Sequence, residues 1–183
     1  MLDINFFKIP KRFQLLKTFA ITFITLSFIV RILLYFLSIE YIDFSIPNLF
    51  KVFGIGFFYD IGALSYLLFA YVFYLLLIPQ KKIGCKLDRI TTKFFYGFFL
   101  FLIIFSFLAE IPFWNEYQRR YNFIAVDYLL YTYEVIENIH QSFSLPLLIL
   151  VIFLLVTVSI FFAKKKNAYK NTFENTDGFL VKM

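Results

Sequence analysis

Long apolar stretches separated by short polar ones dominate the chain. Residues 18–39, 52–78, 94–113 and 145–163 form four apolar runs, and a helix of about 20 residues spans the ~30 Å hydrocarbon core of a bilayer. No alternation of apolar and polar positions typical of a membrane β-barrel competes with these runs. The pattern predicts an all-α, polytopic membrane protein with four transmembrane helices. Short connections favour an antiparallel bundle.

Composition and charge support a membrane protein and indicate which segments lie on its cytoplasmic side. Apolar residues make up 61% of the 183 residues, against about 45–50% in a soluble domain. Fourteen of the 18 Lys and Arg residues lie in residues 1–17, 79–93 and 164–183. By the positive-inside rule, these segments and both termini are cytoplasmic, and the net charge of +6 therefore does not indicate a nucleic-acid partner. The polar tail, residues 164–183, is predicted to be disordered or a broken continuation of the last span.

Three ionisable residues fall inside the predicted spans at similar depth. Arg31 lies roughly 9 Å below the outer boundary of the hydrocarbon core and Asp60 roughly 12 Å below it, while Glu110 is shallower. Because ionisable groups at such depth need a partner or a cavity, we predict an intramembrane polar layer in which Arg31 pairs with Asp60. The pair either fixes the register of the two helices or holds a lipid headgroup. Gly56, Asp60 and Ala63 share one helical face that lets another helix approach closely.

The outer segment, residues 114–144, is more polar than the spans on either side of it. Helical spacing collects five polar side chains within about 40° of one another, and these predict an extracytoplasmic amphipathic helix whose polar stripe is a docking surface or lid. The stripe consists of Asp127, Tyr131, Glu134, Asn138 and Gln141.

Candidate chemistry in the outer segment is sparse. Two carboxylates share the stripe, but the segment supplies no activated nucleophile, and a hydrolytic metal centre needs more than the single histidine, His140. We therefore predict no catalytic, cofactor-binding or metal-binding residue in this chain. Arg119 and Arg120 lie in a segment predicted to be extracytoplasmic, whereas most basic residues are in segments predicted to be cytoplasmic. They are predicted either to bind lipid phosphates or acidic partners, or to form a salt bridge with Glu116 or a stripe carboxylate.

Residues 119–139 resemble a known family. Their sequence, RRYNFIAVDYLLYTYEVIENI, is similar to the extracytoplasmic segment in the membrane part of bacterial lipoteichoic-acid-synthase-like proteins, also called sulfatase-family or phosphoglycerol transferase proteins. It is preceded by FWNEY, and FGIGFFYDIGALSY around Asp60 resembles a second span of the same proteins.

This resemblance implies a membrane anchor in the bacterial cytoplasmic membrane, normally followed by an extracytoplasmic domain of the alkaline phosphatase superfamily. In the family, that domain uses a threonine nucleophile and a divalent metal, commonly manganese, to transfer a phosphoglycerol group from a lipid such as phosphatidylglycerol. Neither the family's fifth span nor its metal ligands occur in the 183 residues. We therefore expect the front portion of such an enzyme, truncated by a frameshift or gene split, that anchors and presents anionic lipid. The alternative is a stand-alone membrane scaffold that recruits a partner through its outer helix.

Overall fold

The computed structural model describes residues 11–39, 45–121, 133, 137 and 144–174. Within these residues the protein is helical throughout, without a strand. Four of its helical segments are long and apolar enough to cross a membrane. The helices are α1 (Gln14–Leu37, after a 3-10 turn at Lys11–Phe13), α2 (Ile46–Phe50), α3 (Gly56–Leu77), α4 (Lys86–Tyr117), α5 (Leu145–Lys165) and α6 (Ala168–Phe173).

The four predicted spans are present, and most are longer than the apolar runs alone indicate. The second is continuous with α2, because a π-helical segment at Lys51–Ile55 joins α2 to α3. The third extends from Lys86 to Tyr117, although apolarity alone predicted residues 94–113. Polar helical turns beyond the hydrocarbon core leave no signal in hydropathy, and for that reason the apolar runs underestimate the length of the helices.

The core lies where α1, α4 and α5 pack together. Leu15 and Leu100 are fully buried there. Phe19 meets Tyr96 edge to face, with ring centroids 6.2 Å apart, and Tyr96 meets Tyr169 in the same way at 5.6 Å. Large apolar side chains on the outside of the bundle are exposed, Tyr66 and Phe69 on α3 among them. A helix bundle that turns apolar side chains outwards is suited to a lipid environment.

The small-residue face predicted on α3 is present only in part. Gly56 approaches Arg31 closely and Asp60 is buried, but Ala63 is exposed and Leu64 is buried in its place. The buried positions of α3 continue from Asp60 and Leu64 to Tyr71 and Leu75. The buried face of α3 that these positions form does not include Ala63, so the prediction that Ala63 belongs to the contact face was wrong.

Disorder of the whole polar tail is also wrong. Asn167 adopts a left-handed backbone conformation, with φ of 53°, which ends the last span and reverses the chain into α6. Ala168 and Thr172 of α6 are fully buried, and the Thr172 hydroxyl accepts a hydrogen bond from the Leu15 N–H at 3.1 Å. The alternative of a broken continuation therefore describes residues 168–173. Small and hydroxylated residues can be buried without a long apolar run, and the composition of the tail did not reveal this.

Candidate functional site

The ion pair predicted between Arg31 and Asp60 is present between α1 and α3. The Arg31 guanidinium donates to the Asp60 carboxylate, with 2.6 Å between Nη2 and Oδ2. Both residues are buried, at 4% and 8% exposure. Nη1 of Arg31 also donates to the Phe53 carbonyl, at 3.4 Å, in the π-helical segment. The buried ion pair thus joins α1 to α3 at one end of the bundle.

Gly56 provides the space for this guanidinium. A Cβ atom placed on Gly56 would lie 2.5 Å from Cζ of Arg31 and 2.8 Å from each terminal nitrogen, well inside van der Waals contact. The glycine therefore has a steric role, because only a residue without a side chain lets the Arg31 guanidinium lie flat against α3.

We expect Gly56→Ala to displace Arg31 from Asp60 and to lower the free energy of unfolding in detergent by about 1–3 kcal/mol. Gly62→Ala is a matched control on the same helix, because a Cβ there meets nothing within 4 Å. The control should be neutral or stabilise the helix by about 0.5–1 kcal/mol. Thermal unfolding followed by circular dichroism measures both. Equal effects of the two substitutions would contradict the steric role of Gly56.

A second ion pair joins Glu110 and Arg120 at the same end of the bundle. Nε of Arg120 donates to Oε1 of Glu110 at 2.5 Å, and Nη2 donates to Oε2 at 2.9 Å. The hydrogen bonds to Glu110 raise the pKa of Arg120 above its usual value, and attraction to the nearby Asp60 adds to this. The predicted layer of Arg31, Asp60 and Glu110 thus gains a further charged member, Arg120, through its ion pair with Glu110.

The partner of Arg120 differs from the salt bridges that the sequence predicted. The proposed partners were Glu116 or a carboxylate of the stripe, whereas the structure pairs Arg120 with Glu110, ten residues earlier. On a straight helix the two would be roughly 15 Å apart. Gln118 ends α4 in a left-handed conformation, with φ of 51°, and this turn brings Arg120 back to Glu110. Hydropathy carries no signal for such a turn.

Arg119 differs from its neighbour in that its side chain is exposed. Among the ion pairs of the described residues, none includes Arg119. The predicted polar stripe, Asp127, Tyr131, Glu134, Asn138 and Gln141, lies outside the described residues, as does His140.

A third ion pair, between Arg12 and Asp88, is buried at the opposite end of the bundle. That end carries most of the basic residues and is called the basic end below. Nη2 and Nη1 of Arg12 donate to Oδ1 and Oδ2 of Asp88 at 2.7 and 3.0 Å. The Tyr74 hydroxyl donates to Oδ1 at 2.9 Å, and the Gly84 N–H donates to Oδ2 at 2.8 Å. With 1% exposure, Asp88 joins the start of α1, the end of α3 and the start of α4.

Arg12 also holds the tail in place. Its Nη1 donates to the Thr172 carbonyl at 3.1 Å, which fixes α6 against the start of α1. The sequence reasoning missed this cluster because Arg12 stood among several basic residues of a loop-like segment. The available signal was Asp88, the one carboxylate in the strongly basic stretch from residue 79 to 93.

The sites consist of oppositely charged side chains that form ion pairs. Among the described residues, no group of three His, Cys, Asp or Glu side chains is arranged to hold a metal ion. Together the sites define a helical bundle with four helices able to span a membrane and a buried, ion-paired cluster at each end.

Comparison of the chain with protein-family models, with curated proteins and with solved structures returns no match. The resemblance to lipoteichoic-acid-synthase-like proteins thus stays a prediction based on short motifs.

Proposed function

We propose that the chain is the membrane-anchoring and lipid-presenting portion of a bacterial phosphoglycerol-transferase-like enzyme of the lipoteichoic-acid-synthase or sulfatase family, which acts in cell-envelope glycopolymer synthesis. The anchor carries no catalytic residues, and the divalent metal belongs to a catalytic domain outside the 183 residues. The basic end faces the cytoplasm by the positive-inside rule, in the bacterial inner membrane. The Arg31 end then faces outwards, where the family's catalytic domain would meet its lipid substrate.

One observation carries this proposal: Arg119 is exposed and belongs to no ion pair among the described residues, whereas Arg31 and Arg120 are already neutralised by buried carboxylates. The Arg31–Asp60 and Arg120–Glu110 pairs are electrically balanced and fix the local backbone. Arg119 therefore adds a cation at the end of a long helix, at headgroup level, without a described carboxylate to cancel it. A lipid phosphate satisfies such a cation through a charge-assisted hydrogen bond.

Lipid selectivity tests this proposal. The full chain in detergent is titrated with phosphatidylglycerol or phosphatidylcholine, and native mass spectrometry gives a dissociation constant for each lipid. We expect a preference for phosphatidylglycerol that weakens about fivefold in Arg119→Gln, since one basic residue near a membrane surface contributes about 1 kcal/mol. Arg119 is the residue of choice because its removal leaves the Glu110 pair intact.

Lys51→Gln is the matched control, since Lys51 is also exposed and lies at the same end of the bundle. The control should keep the preference of the wild-type chain. Equal losses in the two variants would show only a general effect of charge and would count against lipid presentation by Arg119. Binding of a protein partner, with no selectivity among lipids, would instead support the scaffold alternative.

A further inference from the structure

A groove of about 360 Å³ opens between α1 and α5 near the basic end. Its lysines lie at the opposite end of the bundle from the Arg31–Asp60 pair, and the groove has no part in the proposed function. Two lysines, one on α1 and one directly after the end of α5, line it together with hydroxylated and apolar side chains. The residues used below are Lys17, Ile21, Thr22, Leu26, Phe162 and Lys166.

The fold itself creates this groove. α1 packs extensively on α4 and on α6 but touches α5 only sparsely, and this leaves a gap between α1 and α5. Lys166 caps α5, and the left-handed Asn167 turns the chain into α6 directly after it. The Thr172 hydroxyl then fixes α6 to the Leu15 N–H. Lys166 is therefore held opposite Lys17 by the turn and by the docked tail helix.

The charge of the groove is entirely positive. None of its lining residues, all of which the structure describes, is acidic. Lys17 and Lys166 are exposed, and neither belongs to an ion pair with another described residue. Two cations that line the same groove, without an acidic side chain in its lining, match a phosphate group, as in basic pockets between transmembrane helices.

The threonines along α1 limit how that phosphate can be bound. The hydroxyls of Thr18, Thr22 and Thr25 donate to the carbonyls of Gln14, Thr18 and Ile21, at 3.0, 2.9 and 2.8 Å respectively. Their protons are thus already engaged in hydrogen bonds within the helix. The lysine ammonium groups remain as the donors to an anion, while deeper in the groove the apolar side chains offer contact to a hydrocarbon chain.

We propose that this groove binds one anionic phospholipid from the leaflet at the basic end. Its phosphate lies between Lys17 and Lys166, and one acyl chain runs along Ile21, Leu26 and Phe162. The apolar wall and the cationic mouth together match an amphiphile rather than a free anion. The bound lipid would fill the gap between α1 and α5 and complete the packing of the bundle there.

Three variants of the full chain, one of them a control, test this site by native mass spectrometry with phosphatidylglycerol and phosphatidylcholine. Lys17→Gln combined with Lys166→Gln removes both cations and should weaken the binding of one phosphatidylglycerol molecule about tenfold or more, with little change for phosphatidylcholine or for a phosphatidylglycerol at Arg119. Lys81→Gln combined with Lys165→Gln removes the same charge from exposed residues outside the groove, and this control should bind as the wild-type chain does.

Thr22→Phe keeps every charge and fills the groove, so it should also reduce phosphatidylglycerol binding. Thermal unfolding verifies that each variant is folded. The proposal is overturned if the control loses as much binding as the groove variant, or if Thr22→Phe binds normally. Displacement of the lipid by millimolar glycerol phosphate would show a site for a free anion instead. If phosphatidylglycerol binds only after residues 1–10 are removed, the start of the chain occupies the groove and the proposal also fails.

Discussion

Replacing Asp88 by Asn is expected to lower the free energy of unfolding by about 3–5 kcal/mol. The carboxylate accepts two hydrogen bonds from Arg12, one from Tyr74 and one from the Gly84 N–H. The amide keeps the size of the side chain but removes its charge and replaces one acceptor by a donor. Arg12, with 8% exposure, would then be a buried cation without a counter-charge. Unfolding in detergent, followed by circular dichroism, measures the loss.

Glu174→Gln is the control for this substitution, because it also removes one carboxylate charge from an ion pair. Glu174 pairs with Lys11 at 2.9 Å, but the two side chains are exposed to water, by 39% and 56% respectively. The hydrogen bond from Lys11 lowers the pKa of Glu174, yet an exposed pair adds little stability because water screens it. A loss for Asp88→Asn as small as that for Glu174→Gln would mean that the buried cluster does not hold α6 and the three helix ends together.

Hydropathy was sufficient to predict the parts of this structure that face lipid. The four spans follow from run length, because a bilayer requires about 20 apolar residues in a helix. Depth along a helix was enough to pair Arg31 with Asp60, since both lie in spans that are adjacent in sequence and both would otherwise be unpaired in the membrane.

The contacts that depend on a turn could not be predicted in this way. Arg120 reaches Glu110 because Gln118 adopts a left-handed conformation, and α6 docks because Asn167 does the same. A positive φ is uncommon in non-glycine residues, and although Asn adopts it more readily than Gln does, residue type alone does not tell at which position it occurs. Arg12 was missed for another reason. A basic residue near the start of a span normally helps to set the orientation of the span in the membrane. The burial of Arg12 becomes evident only from its contacts with Asp88 and Thr172 in the structure.

The Arg31–Asp60 pair is expected to respond unequally to the loss of its two members. Asp60→Asn leaves a guanidinium that cannot give up its proton, in a site with 4% exposure, and should cost about 3–5 kcal/mol of unfolding free energy. Arg31→Met leaves a carboxylate that can take up a proton and become neutral, so it should cost less, about 1–3 kcal/mol. Thermal unfolding of both variants in the same detergent gives this order.

Exchanging the two charges tests whether Arg31 and Asp60 stabilise the protein through their mutual attraction or only because both are buried. In the double variant Arg31→Asp with Asp60→Arg, an ion pair can form again, so stability should exceed that of either single charge reversal, with a coupling energy of about 0.5–3 kcal/mol. Recovery should be incomplete, because Gly56 and the Phe53 carbonyl are placed for a guanidinium that extends from α1 and not from α3. A double variant no more stable than either single reversal would show that attraction between these two charges does not hold α1 against α3.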